Sequence, residues 1–308
     1  MFSQPLQTIN QKLFHPVFDE YGLEVYVKRE DLIHPQISGN KYRKLKYNLL
    51  EAQSQNHHTL LTFGGAYSNH LVATAAAGKI MGFKTIGLVR GEELASKFRQ
   101  NPTLAYCASQ NMQLEFISRE SYRFKHTSQM LKKIQNQFGS VYMLPEGGTN
   151  ALAVKGCEEI LTSEDAFFDV ICCPVGTGGT LAGLINSSKP HQHVIGFSAL
   201  KGTDIQEEIR KFASNNRWSL ESEDRFGGYA KINTNLVTFI NQFYEQSTIL
   251  WDPIYTAKMV FGLIEKIKAN QWKQGKKILL IHTGGLQSIS GMNQWLYQKG
   301  LPSIHQAV

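Results

Sequence analysis

The chain is poor in cysteine, and none of what it has is spaced for a metal. Its four cysteines are Cys107, Cys157, Cys172 and Cys173. Two are adjacent and none forms a Cys-x-x-Cys pair, which argues against a zinc site and against a disulfide framework. Cys172 and Cys173 lie in an apolar run and are expected to pack in a core. Long hydrophobic runs are missing as well. No stretch approaches the roughly 18 apolar residues of a membrane span, and the first residues show no basic start followed by an apolar segment. The expectation is a soluble, cytoplasmic protein with no membrane partner. Continuous basic runs are absent too, although the net charge is +7. With no nucleic-acid-binding signature present, that excess points to small anions, a phosphate and a carboxylate, rather than to nucleic acid. There is no Gly-x-Ser-x-Gly elbow and no His-Glu-x-x-His helix, so the common serine and zinc hydrolases are poor readings. His191 and His193 stand in a polar stretch and read as a solvated surface pair rather than a metal site.

What is present is an alternation. The chain has 308 residues, 42% of them hydrophobic, enough for a large buried core. Short apolar runs at Leu60–Phe63, Thr85–Val89, Gln113–Ile117, Val141–Leu144, Asp169–Pro174, Val194–Ala199 and Ile278–His282 predict strands. Longer helix-like patterns separate them, and a small-residue helix is predicted over Ser68–Met81. Strands alternating with helices imply an α/β fold with mostly parallel sheets covered by helices. No internal repeat or linker composition marks a domain boundary. The polar stretch Ser214–Asp224 is expected to be a surface excursion.

Three predicted strands run into glycine turns, where open α/β sheets bind ligands. The turn Gly176-Thr177-Gly178-Gly179-Thr180 is the best phosphate site. Its glycines let successive N–H groups converge on an anion, and a helix follows whose first N–H groups favour negative charge. It is not a dinucleotide fingerprint, because Leu181 takes the third glycine position. The turn Gly64–His70 offers Ser68, Asn69 and His70 to a carboxylate, against the plainer reading of helix capping. The third turn is His282-Thr283-Gly284-Gly285. In the segment Ser38–Tyr47, Lys41 and Lys44 share a helix face, which taken alone reads as an ordinary solvated basic helix.

Six motifs occur in order: G-N-K-Y-R-K-L from Gly39, G-G-A-Y-S-N-H from Gly64, P-E-G-G-T-N from Pro145, G-T-G-G-T-L-A-G from Gly176, D-P-I-Y-T-A-K from Asp252 and H-T-G-G from His282. Together they resemble the fold-type II pyridoxal-phosphate-dependent enzymes, and more narrowly the 1-aminocyclopropane-1-carboxylate deaminase and D-cysteine desulfhydrase family. The resemblance implies pyridoxal 5'-phosphate as cofactor. It implies that Lys41 carries the cofactor as a Schiff base and later moves the Cα proton. Lys44 and Gly176, Thr177, Gly178, Gly179 and Thr180 match the phosphate holders, Asn69 the residue near the pyridine 3-hydroxyl, and Ser68 the hydroxyl beside the substrate. Tyr255 matches the tyrosine beside the cofactor ring, Tyr229 a second active-site tyrosine, and Thr283 the position facing the pyridine nitrogen. His70 and Thr256 are expected on the substrate side. The resemblance also implies two open twisted sheets, a small domain of about residues 45–150, a large domain of residues 1–44 and 151–308, and a homodimer.

Two threonines separate the subfamilies. The deaminases of this family carry Glu in D-P-x-Y-E and Leu in H-L-G-G, whereas the desulfhydrases carry Thr at both places. This chain has Thr256 and Thr283. A carboxylate near the pyridine nitrogen keeps it protonated and strengthens the electron sink, whereas a hydroxyl leaves a weaker sink that suffices for losing thiolate. His70 agrees, since the deaminases have Gln there. Tyr67 departs from both subgroups, which have Gln before Ser-Asn. The implied reaction is β-elimination from D-cysteine to pyruvate, ammonia and hydrogen sulfide. Deamination of the cyclopropane amino acid, a related D-serine lyase or racemase, and a cofactor-binding protein without turnover are the competing readings.

Overall fold

The computed structural model describes residues 6–199, 204–222, 226–228, 230–272 and 274–306. Among the described residues there are ten strands: β1 (Asn10–Leu13), β2 (Glu24–Lys28), β3 (Thr59–Gly64), β4 (Lys84–Arg90), β5 (Met112–Ile117), β6 (Tyr142–Met143), β7 (Val170–Val175), β8 (His193–Ser198), β9 (Trp218–Ser222) and β10 (Lys277–Ile281). They form a six-stranded sheet in the order β1-β2-β10-β7-β8-β9 and a four-stranded sheet in the order β5-β4-β3-β6. Every pairing is parallel except β1 with β2. The α/β class and the two mostly parallel sheets flanked by helices are as the sequence predicts.

The inner strands are apolar on both faces because helices cover both faces. In β7 every residue after Val170 is buried, and in β10 every residue after Lys277. One face of the large sheet packs Val25, Val27, Ile278 and Leu280 against Trp251 and the helix Thr256–Lys268. The other packs Ile171, Cys173 and Leu279 against the helix Gly179–Ser187. Cys107, Cys157, Cys172 and Cys173 are all fully buried, and burial raises each thiol pKa, so they act as apolar core groups.

Glycines set the spacing around the cleft. A Cβ on Gly183 would meet Cys157 Cβ at 2.5 Å, and one on Gly156 would meet the Arg43 carbonyl oxygen at 2.0 Å. These two contacts lock the helices Gly179–Ser187, Ala151–Glu158 and Asn40–Ser54 into one close-packed group. On the smaller sheet, the helix Asn69–Met81 is capped by Ser68, whose Oγ accepts from Leu71 N at 3.2 Å. Gly78 lets that helix lie on β4, where a Cβ would stand 2.2 Å from Thr85 Cγ2.

Three details differ from the sequence reading. The polar stretch after Ser214 is no simple excursion: Trp218–Ser222 is β9, the edge strand pairing β8. The strands β1 and β2 escaped notice because β1 is polar and β2 alternates with charged ends. The plain reading of Lys41 and Lys44 as part of a solvated basic helix fails, since Lys44 and its neighbour Arg43 are only 3% and 2% exposed.

Candidate active site

The C-terminal ends of β3, β7 and β10 open on a common cavity of about 650 Å³, lined by residues from both sheets. Each glycine turn picked out in the sequence stands in its wall. The helix Asn40–Ser54 begins there because Gly39 takes a positive φ of +60° and lies flat on the Thr283 carbonyl, where a Cβ would be 2.0 Å from that oxygen. Asn40 N donates to the same carbonyl at 3.3 Å. The first helical turn thereby projects Lys41 and Lys44 into the cavity.

Lys41 Nζ donates to Asn40 Oδ1 at 3.0 Å, and Asn40 Nδ2 in turn donates to Thr180 Oγ1 at 2.8 Å. Burial, and after it the neighbouring Lys44 ammonium, bring the Lys41 amine down from 10.5 to about 7. An amine in that range is partly neutral near pH 7 and able to act as a nucleophile or a base. Among the described residues Lys44 reaches only uncharged oxygens: the Gly147 carbonyl at 3.0 Å, Thr149 Oγ1 at 3.0 Å and Thr177 Oγ1 at 3.4 Å. Burial lowers its pKa as well. A buried cation without a carboxylate is costly, and an anion placed there relieves that cost.

The loop from Gly176 supplies the rest of an anion cradle. Gly178 takes a positive φ of +82° and serves as N-cap of the helix Gly179–Ser187 without any capping side chain. The first N–H groups of that helix are therefore left for a ligand. Gly176 lies against Tyr255, where a Cβ would be 3.2 Å from the ring. Cationic Lys44, uncapped N–H groups and the Thr177 and Thr180 hydroxyls fit a phosphate, and Lys41 stands on the same cavity wall to meet an aldehyde. The residues present thus fit pyridoxal phosphate.

Of the other residues picked out in the sequence, Ser68, Asn69, His70, Tyr255 and Thr283 all line the cavity. Ser68 both caps its helix and faces the cavity, so the two readings of it are compatible. His70 is 2% exposed with both ring nitrogens unpartnered among the described residues. Burial, then Lys41 and Lys44, hold its pKa well below 6.5, so it is a neutral imidazole. Thr256 is not brought into the wall. It is fully buried, accepts from Asp252 N at 2.8 Å and contacts Asp252 Oδ2 at 3.3 Å, so its hydroxyl is spent on the turn that aims Tyr255. Gly179 shapes the loop from behind, its α-carbon facing Thr149. Tyr229 lies outside the described residues. His191 and His193 are on the surface, bound to Ala166 O and Ser219 Oγ.

Sequence reasoning missed Thr149, whose hydroxyl stands 2.6 Å from that of Thr177 and completes the Lys44 cage. Its signal in the sequence is the P-E-G-G-T-N motif from Pro145. It also missed Arg90 and Gln287 on the wall, for which no motif speaks.

The sequence pattern of the family "Pyridoxal-phosphate dependent enzyme" matches residues 11–284. The chain belongs to this family, with the fold-type II architecture. A Thermotoga maritima protein provisionally named 1-aminocyclopropane-1-carboxylate deaminase is 33% identical over 291 residues, 87% of this chain and 90% of that one. The mitochondrial bifunctional D-cysteine desulfhydrase/1-aminocyclopropane-1-carboxylate deaminase of Arabidopsis thaliana is 30% identical over 298 residues, 86% of this chain and 73% of that one. The crystal structure of an ACC deaminase homologue superposes with a TM-score of 0.81 at 27% identity, covering 96% of this chain and 94% of the other. Within the pyridoxal-phosphate-dependent enzymes, the chain is thus one of the deaminase and desulfhydrase group.

Proposed function

We propose that the enzyme catalyses β-elimination from a small amino acid, with D-cysteine and water giving pyruvate, ammonia and hydrogen sulfide. The observation that carries this reading is the wall at Thr283. Thr283 lines it with an uncharged side chain, and Thr256 is buried in the Asp252 turn behind it, so no glutamate reaches the wall at either position. Pyridoxal phosphate, when bound, withdraws electrons from the substrate Cα and supplies the acidity and leaving-group chemistry that side chains lack.

The protein's own groups do the rest. Lys44, the helix that starts at Gly179 and the Thr177 and Thr180 hydroxyls hold the phosphate. Lys41 would hold the cofactor aldehyde, and its amine would be placed to take the proton from the substrate Cα. Its lowered pKa suits both tasks. Ser68, Asn69 and His70 at the start of their helix receive the substrate carboxylate, and Tyr255 flanks the ring. Asn40 holds the Lys41 amine on the cavity side. The same reading carries a small domain of residues 45–150, a homodimer and a cytoplasmic location. Among the described residues no helix is long and apolar enough to cross a membrane.

The test is turnover by the purified holoenzyme of D-cysteine, β-chloro-D-alanine and 1-aminocyclopropane-1-carboxylate, with pyruvate, 2-oxobutyrate and sulfide measured. Pyruvate from the first two substrates is the expected result. Turnover of the cyclopropane substrate alone overturns the threonine argument and leaves the deaminase reading.

A further inference from the structure

Asn40 is the first residue of the helix Asn40–Ser54, yet it does none of the capping expected of an asparagine at a helix start. Among the described residues its side chain binds no N–H group of its own helix. It runs sideways instead. Nδ2 donates to Thr180 Oγ1 at 2.8 Å, a contact across 140 residues, and Oδ1 accepts from Lys41 Nζ at 3.0 Å. Neighbours in a helix point about 100° apart, so Lys41 has to curl back over the first turn to reach that oxygen. Among the described residues Asn40 Oδ1 is the only hydrogen-bond acceptor the amine has. Asn40 is 9% exposed and Thr180 4%, so little water competes for the amide.

The ammonium form of Lys41 can only donate, and for it the amide must present oxygen. The nitrogen is then left to Thr180, whose hydroxyl can donate or accept and here accepts. An uncharged acceptor on the amine favours its charged form by one hydrogen bond. A carboxylate in the same place would favour that form far more and leave little free base. No other group around the amine supplies this. Lys44 is a like charge, His70 is a neutral imidazole, and Cys157 and Cys173 are buried thiols. Asp252 spends its oxygens on the N–H groups of Ile254, Tyr255 and Thr256.

We propose that Asn40 is a positioning residue: anchored on Thr180, its amide oxygen holds the free Lys41 amine at the start of the helix and stabilises it as an ammonium. This rests on the proposed function, in which that amine moves a proton at the substrate Cα and so must pass through both charge states. Asn40 acts through Lys41, offsetting part of the cost of burying the charge without fixing the amine as a permanent cation.

The experiment labels the full-length protein, freed of cofactor, with acetic anhydride across a pH series. Acetylation of Lys41 is read by mass spectrometry of its peptide, with thermal melts in parallel. The wild-type amine is expected to react with a midpoint at about pH 7. Asn40→Leu removes the acceptor, and the midpoint is expected to fall by about one pH unit, a tenfold change in acidity. Asn40→Asp keeps the shape but presents a carboxylate, and the midpoint is expected to rise by at least about one unit. A purely structural role would move both variants the same way. Midpoints equal to wild type, or displaced in one direction in both variants, overturn the inference. Should Asn40→Leu fail to fold, Asn40→Asp decides alone, and an unchanged or lowered midpoint overturns it. A wild-type protein that forms no borohydride-stable link between pyridoxal phosphate and Lys41 overturns the proposed function instead and leaves these midpoints standing.

Discussion

At the scale of single residues, the site depends on an amine that is expensive to bury. The Lys41 pKa falls from 10.5 to about 7, chiefly through burial and next through Lys44. In the unfolded chain the amine stays protonated up to its ordinary value. Between about pH 7 and 10.5 the unfolded state thus binds more protons than the folded one, and stability rises with pH across that window. Lys41→Met removes the penalty. The apoprotein of this variant is expected to melt at a higher temperature than wild type at pH 7, with the gap closing as pH approaches 10. Calorimetric scans of both apoproteins over that range check it, and a gap independent of pH contradicts the assignment. Lys41→Met also forfeits the borohydride-stable cofactor link, which mass spectrometry reads directly. The sequence made Lys41 visible only through the family motif. Its residue type alone favoured a solvated helix, because spacing says which residues share a face but not what covers that face.

At the scale of elements, glycine conformation decides the cradle. Gly178 and Gly82 both adopt left-handed backbone, with φ of +82° and +78°. Gly82 ends the helix Asn69–Met81 in open space, whereas a Cβ on Gly178 would lie 2.7 Å from Ile209 Cγ1. Gly82→Ala is expected to cost about 1 kcal/mol, the left-handed penalty alone. Gly178→Ala is expected to cost about 2–3 kcal/mol and to weaken cofactor binding, because the loop must shift to clear Ile209. Urea unfolding of both variants measures the difference, and equal losses would show that the loop yields freely. Buried strands such as β7 and β10 were legible because continuous apolar runs ending at glycine leave little choice. The edges were not. In β9, Trp218–Ser222 is stabilised by pairing with β8 rather than by its own apolar content, and its half-buried residues read as surface. In β2, Lys28 is buried by an ion pair with Asp165 at 2.8 Å, a contact across 137 residues that no local pattern foreshadows. The same limit hid Gln287, whose partners Asn69 and Thr103 lie 218 and 184 residues away.

At the scale of the whole molecule, the cavity joins parts that the chain keeps far apart. Its walls combine the ends of β3 and β4 from one sheet with those of β7 and β10 from the other, and Lys44 spans from the helix Asn40–Ser54 to Gly147, Thr149 and Thr177. Before a ligand arrives, the cation held there has, among the described residues, only neutral oxygens as hydrogen-bond partners. A phosphate-bearing cofactor therefore adds its largest stabilisation where the two sheets meet, and its binding should register as global stability. Pyridoxal phosphate at a hundred times its dissociation constant adds about 2.7 kcal/mol. For a chain of this size that corresponds to a rise in melting temperature of about 4 °C. Lys44→Met removes the charge while keeping most of the bulk. It should weaken cofactor binding by about tenfold to a hundredfold, the worth of one buried charge-assisted contact of roughly 1.5–3 kcal/mol. The apoprotein of this variant should at the same time be no less stable than wild type, because it no longer buries an uncompensated ammonium. Thermal melts with and without pyridoxal phosphate separate the two effects. A variant that loses apoprotein stability yet keeps the full cofactor-induced rise would mean that Lys44 holds the two halves together and leaves the phosphate to the loop from Gly176 alone.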